Sequence, residues 1–188
     1  VIFVPGSGSI TSRNSQNLTA NRIGFLMRSG YALIWPVYKG TYERGYPEFP
    51  NYVGNNSKIY AEQMIMMVKD YSRAIDFVEQ DDDLLNDVYY YGISWGGKLG
   101  PLFLANDKRI KKAVWQVAGL GARETRPEGN PLTFLSRINK PVLMLNGIYD
   151  QYFPFETSQK PMYELLSLKE PMKKMITYKS AHSPPSNQ

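Results

Sequence analysis

Short apolar runs alternate with helical patterns along nearly the whole chain, and this alternation constrains the fold more than any other feature. Strands are predicted at residues 1–4, 31–37, 88–91, 113–117, 141–146 and 174–178. Helices are predicted at 18–29, 57–78, 95–105 and 157–166. Gly30 stands where the first helix would take a C-cap, and Gly92 where the third strand would break. Val1-Ile2-Phe3-Val4 and Val142-Leu143-Met144-Leu145 are apolar at every position, as strands are when both sheet faces are covered. Strands joined through helices pair in parallel by right-handed crossovers. The expected class is therefore α/β, three-layered, with a mostly parallel central sheet.

Composition removes several classes of function. A chain of 188 residues, 43% of them apolar, suffices for one domain with a substantial core. No apolar run reaches the ~18 residues of a membrane span, and no secretory signal pattern opens the chain. Without cysteine there is no disulfide, thiol nucleophile or thiolate-held metal, and a single histidine argues against a His-rich zinc site. These features favour a cytoplasmic setting. The net charge of +5 comes from scattered Lys and Arg residues, without the interleaved aromatics of a single-strand groove, so no nucleic-acid partner is expected. The sequence starts inside a strand and stops at Pro184-Pro185-Ser186-Asn187-Gln188, which reads as a segment of a longer chain.

In such a sheet, functional groups gather past the carboxyl ends of the strands. Three loops carry suitable chemistry there. Gly92-Ile93-Ser94-Trp95-Gly96-Gly97 lies between a strand and a helix. A sharp turn at that point lifts a serine hydroxyl off the sheet and needs small neighbours. Asn146-Gly147-Ile148-Tyr149-Asp150 follows an apolar strand, and its carboxylate could orient an imidazole. His182, the only histidine, follows the last strand. Ser94 is the candidate nucleophile, His182 the general base and Asp150 the orienting acid.

Acyl transfer also requires donors for a developing oxyanion. The backbone N–H of Trp95 is one candidate. The other is the N–H of Ser7 in Pro5-Gly6-Ser7-Gly8, with Gly8 as an alternative. The stretch between the strands at 113–117 and 141–146 is too short for a large helical lid, so an open site is expected. Candidate pocket residues are Gly8, Leu120, Tyr152 and Phe153, joined by Trp95 and by Tyr42, Tyr46 and Phe49 of the long loop at 38–56.

At these residues the chain resembles the α/β-hydrolase superfamily, and within it the dienelactone hydrolase and prolyl-oligopeptidase-like esterase branch. The resemblance runs from Val1 to His182 and implies one α/β-hydrolase domain over 1–188, without a large lid. It implies a serine-dependent carboxylic-ester hydrolase acting on a small-molecule ester, with no metal or organic cofactor. Two departures stand out. Dienelactone hydrolases use a cysteine nucleophile, and Pro5 replaces the usual histidine before the oxyanion-loop glycine. A peptidase of prolyl-oligopeptidase type and a non-catalytic interaction module are the alternatives. A phosphate-binding loop at Gly92-x4-Gly97-Lys98 fails at Leu99, where a hydroxyl should hold Mg²⁺. The acidic run Asp81–Asp83 lacks the alternating spacing of a calcium loop.

Overall fold

A computed structural model describes residues 1–16, 18, 21–45 and 56–183. Five strands, β1 (Ile2–Val4), β2 (Val88–Ile93), β3 (Ile110–Gln116), β4 (Val142–Gly147) and β5 (Lys173–Tyr178), form one parallel sheet in the order β1-β2-β3-β4-β5. The helices are α1 (Gly8–Thr11), α2 (Gly24–Arg28), α3 (Lys58–Glu79), α4 (Trp95–Asn106) and α5 (Lys160–Glu164).

Helix α3 shows how the sequence writes its own packing. Ser57 caps it, its hydroxyl accepting the Tyr60 N–H at 3.1 Å. Tyr60, Met64, Met67, Tyr71, Ile75 and Val78 recur at three- and four-residue spacing and are buried together. They pack with α4 and α5 residues on one face of the sheet. Tyr71, Tyr90 and Phe103 form a ring cluster there, with centroids 5.1–5.5 Å apart. The opposite face holds a smaller cluster, in which Ile23 and Leu26 flank Phe3 and Tyr91.

The expected strand at 31–37 is reduced to a single parallel bridge between Ile34 and Ile2. The Ile34 N–H donates to Val1 O at 2.9 Å and its carbonyl accepts from Phe3 at 2.8 Å. The next rung would need an N–H at residue 36, which is proline. The Phe3 carbonyl takes the Tyr38 hydroxyl instead, at 2.9 Å. Of the helix expected at 18–29, the described residues form Gly24–Arg28 alone, with Gly24 a poor helix former and Ile23 unable to cap it. Gly30 does close it, at φ +83°. The helix expected at 157–166 starts as a wide π turn, Phe155–Gln159, because Pro161 has no N–H to give to the preceding turn. Gly92 continues β2 rather than breaking it. The stretch before β4 also holds a 3₁₀ segment, Pro131–Arg137, for which the sequence pattern gave no expectation.

The bridge at Ile34 places that segment on the side of β1 away from β2. The chain thus steps outward from β1 and returns across it to β2. The direction of winding reverses between β1 and β2, the position where open α/β sheets form a crevice.

Candidate active site

Ser94 sits at this reversal, between β2 and α4, with φ +55° and ψ −112°. Such a backbone is costly for a residue with a side chain and has to be held by its surroundings. The Ser94 N–H donates to Gln116 O, and its carbonyl accepts from Lys98 N, both at 2.8 Å. The Tyr90 hydroxyl donates to Gly96 O at 2.5 Å. A Cβ on Gly92 would lie 2.6 Å from the Gly96 carbonyl, and one on Gly96 would overlap the Val4 carbonyl. The two flanking glycines therefore let the turn close on itself and on the end of β1.

The other two loops are tied to each other. Ile148 N–H donates to Tyr178 O at 2.9 Å, and Tyr149 N–H to Ser180 O at 3.0 Å. Gly147 leaves room for the carbonyls of Ser180 and Ala181, which a side chain there would strike. Asp150 is buried, and its Oδ1 accepts the N–H groups of Tyr152 at 2.8 Å and Phe153 at 3.0 Å. Its Oδ2 is 2.7 Å from His182 Nδ1, and His182 Nε2 is 2.7 Å from Ser94 Oγ. A carboxylate oxygen only accepts, so Nδ1 carries the proton and Nε2 is free to accept the serine hydroxyl. The imidazole is also packed against Tyr152 and Phe153, with centroids 4.8 Å and 5.8 Å away.

The Gly6-Ser7-Gly8 loop closes the other side. A Cβ on Gly6 would lie 3.5 Å from Ser94 Cβ and 4.0 Å from Oγ, so this loop runs against the serine. Ser7 is the N-cap of α1, and Trp95 is the first residue of α4, where helix geometry supplies no partner for the N–H. Of the candidate pocket residues, Tyr152 is exposed, Leu120 is half-buried and Phe153 is buried against Gly119 and His182. Gly8 has open space beside it. The Trp95 side chain belongs to the core cluster, and Tyr42 is buried. Tyr46 and Phe49 lie outside the described residues.

Two supports were not foreseen. The Asn146 side chain accepts the Ala118 N–H and donates to the Ala118 carbonyl, both at 2.9 Å. It braces the turn after β3, where Val117 has φ +43°, a strained backbone for a β-branched residue. Gln159, fully buried, donates to Gly147 O at 2.8 Å and Phe153 O at 2.7 Å, fixing both ends of the Asp150 loop. A polar residue interrupting an apolar strand end was the available signal for Asn146; Gln159 had none. Among the described residues no helix is long and apolar enough to cross a membrane, and no cluster of three or more His, Asp or Glu could hold a metal.

No family model matches the chain, and none of the curated proteins matches it by sequence. Solved structures do match. An acetyl xylan esterase from Thermoanaerobacterium superposes with a TM-score of 0.71 at 18% identity, over 99% of this chain and 70% of that one. A protein assigned as a dienelactone hydrolase from Klebsiella pneumoniae gives 0.70 at 19%, over 96% and 74%. An esterase from Pyrococcus furiosus gives 0.69 at 17%, over 96% and 73%. With this topology, and with its winding reversal filled by the Ser94 turn, the chain has the α/β-hydrolase fold in its dienelactone-hydrolase-like form.

Proposed function

We propose that the chain is a serine hydrolase that cleaves carboxylic esters through an acyl-enzyme. The observation that carries this reading is the unbroken relay of two 2.7 Å contacts from Asp150 through His182 to Ser94 Oγ. Esterases among the similar structures support the same reading.

In this mechanism His182 Nε2 takes the Ser94 proton as Oγ attacks the ester carbonyl. Asp150 accepts from Nδ1 and stabilises the imidazolium. The N–H groups of Ser7 and Trp95 receive the oxyanion, each donor contributing a factor of roughly 10²–10³ in rate. The imidazolium then protonates the leaving alkoxide, and the same imidazole activates water to release the acid. The strained Ser94 backbone holds Oγ in place before substrate arrives, so this orientation does not have to be created during the reaction.

Labelling with a fluorophosphonate tests the reading without knowledge of the substrate. The adduct is expected on Ser94 by mass mapping, absent in Ser94→Ala and strongly reduced in His182→Ala. A folded wild-type protein that takes no label refutes it.

A further inference from the structure

The histidine of the relay is carried by a stretch with little structure of its own. His182 follows the end of β5 at Tyr178 and stands between Ala181 and Ser183, both exposed. The backbone hydrogen bonds here run from Tyr149 N–H to Ser180 O at 3.0 Å and from Ser183 N–H to Ala181 O at 2.8 Å, so neither holds His182 itself. Its ring is therefore placed by side chains: Asp150 at Nδ1, Ser94 at Nε2, and the rings of Tyr152 and Phe153.

One of these restraints disappears during the proposed reaction. Once Ser94 is acylated its Oγ carries no proton, and Nε2 has to be free to receive one from water. The imidazole is then left with a single hydrogen bond, to Asp150 Oδ2. One bond fixes one atom of a ring and leaves its plane free to tilt. What resists the tilt is packing, and the nearer of the two rings is Tyr152, its centroid 4.8 Å away with the planes at 65°. Edge-to-face pairs of this kind are favourable beyond the area they bury.

Burial does not explain why Tyr152 stands there. At 69% it is the most exposed aromatic residue among those described, whereas its neighbour Phe153 is buried against Gly119. Its backbone is nonetheless tied down, because the Tyr152 N–H donates to Asp150 Oδ1 at 2.8 Å. The carboxylate that orients the imidazole through one oxygen thus anchors, through the other, the residue whose ring packs on that imidazole.

Resting on the reading of Ser94 as nucleophile, we propose that Tyr152 is a positioning residue for deacylation, its ring holding His182 in place while Ser94 is acylated. In that step Nε2 takes a proton from water as the water oxygen bonds to the acyl carbon. The C–Oγ bond then breaks, the proton passes from Nε2 to Oγ, and the carboxylic acid leaves. During acylation the Ser94 hydroxyl itself holds Nε2, so the ring matters less. This differs from a pocket wall, which would act through substrate binding.

The test separates the two steps in wild type, Tyr152→Ala and Tyr152→Phe. Each is mixed with saturating 4-nitrophenyl acetate, quenched at steady state, and the fraction acetylated on Ser94 is read by mass. At saturation the ratio of acylated to free enzyme equals the acylation rate over the deacylation rate, and kcat then gives each rate separately. Deacylation in Tyr152→Ala is expected to slow by about 3- to 10-fold, the size of one aromatic contact, with acylation slowed less. The acylated-to-free ratio therefore rises. Tyr152→Phe, which keeps the ring, should match wild type. Tm should stay near wild type in both, since an exposed ring is removed and the backbone bond to Asp150 is kept. An unchanged ratio in Tyr152→Ala, whether both steps hold or fall together, overturns the proposal and leaves the hydrolase reading intact. A change in KM alone makes Tyr152 a substrate contact and also overturns it. So does a Tyr152→Phe variant as slow as Tyr152→Ala, because the hydroxyl would then be the active group. No acetylation of Ser94 and no turnover in folded wild type refutes the hydrolase reading, and this role with it.

Discussion

Replacing Gly96 with alanine should damage stability and site together, because the new methyl group meets backbone on the β1 side. Built on the present backbone, its Cβ would lie 2.7 Å from Val4 C and 2.9 Å from Pro5 O, while ordinary contact begins near 3.4 Å. Relieving the first contact alone needs a shift of at least 3.4 − 2.7 = 0.7 Å. Neither partner is a flexible side chain, so either α4 lifts from the sheet or the end of β1 moves. Overpacking of this kind costs roughly 3 kcal/mol, at the upper end of its usual range. For a chain of this size that is a fall in Tm of roughly 6–12 °C. Either movement also changes the spacing between the Ser7 loop and Ser94. A misplacement near 1 Å costs about 10²-fold in rate, so fluorophosphonate labelling should slow by about that factor. Gly8→Ala is the matched control for stability: nothing lies within 4 Å of its Cβ, and alanine favours the helix. Its stability should be unchanged or higher by about 0.5 kcal/mol. Thermal unfolding by circular dichroism and the labelling rate measure both effects. If Gly96→Ala unfolds within a degree or two of wild type, the close approach of α4 to β1 is wrong. If stability falls while labelling holds, the link between β1 and the oxyanion donors is wrong.

Other substitutions probe separate parts of the argument. Asp150→Asn keeps an oxygen for the Tyr152 and Phe153 N–H groups but turns a donor toward Nδ1, reversing the tautomer. Ester turnover and labelling should fall by about 10³–10⁴-fold with little change in Tm, and a loss below tenfold refutes the relay. Asn146→Ala orphans both backbone groups of Ala118 and should cost about 2–4 kcal/mol in urea unfolding. A cost below 1 kcal/mol would mean the turn after β3 needs no brace. Arg109 joins Asp76 and Glu79 of α3 to Asp107 at the end of α4. Its hydrogen bonds hold the Asp76 carboxyl below its ordinary pKa, and they outweigh the opposing effect of burial on Asp107. Carboxylates with depressed pKa values stabilise the fold above their unfolded values, and that contribution is lost as pH falls through the folded ones. Stability should therefore drop below about pH 4 in wild type, and less steeply in Arg109→Met. Equal urea midpoints shifts between pH 7 and pH 3 in the two proteins would refute it.

Much of this was legible in the sequence because it depends on local pattern. The spacing of Tyr60, Met64, Met67, Tyr71, Ile75 and Val78 defines a helix with one buried face wherever it is placed. The fully apolar β1 run and the core of β4 mark strands covered on both sides, and right-handed crossovers leave few ways to connect them. Gly92-x-Ser94-x-Gly96 likewise announces a sharp turn at a strand end, since the constraint and the residues that satisfy it are adjacent in the chain.

Tertiary structure decided what depends on partners far apart in sequence. A strand needs a neighbour with free groups to pair with, so the apolar segment at 31–37 ended as one bridge where Pro36 met the edge of β1. Whether Asp150 and His182 meet is settled by the parallel register of β4 and β5 and by the space left at Gly147. The bracing roles of Asn146 and Gln159 exist only across 28 residues in one case and across a folded loop in the other. The lysine four residues after Ser94 is unremarkable in the sequence. Only the fold brings it to line one cavity with Arg123, because charge is written residue by residue while its neutralisation depends on what packs alongside.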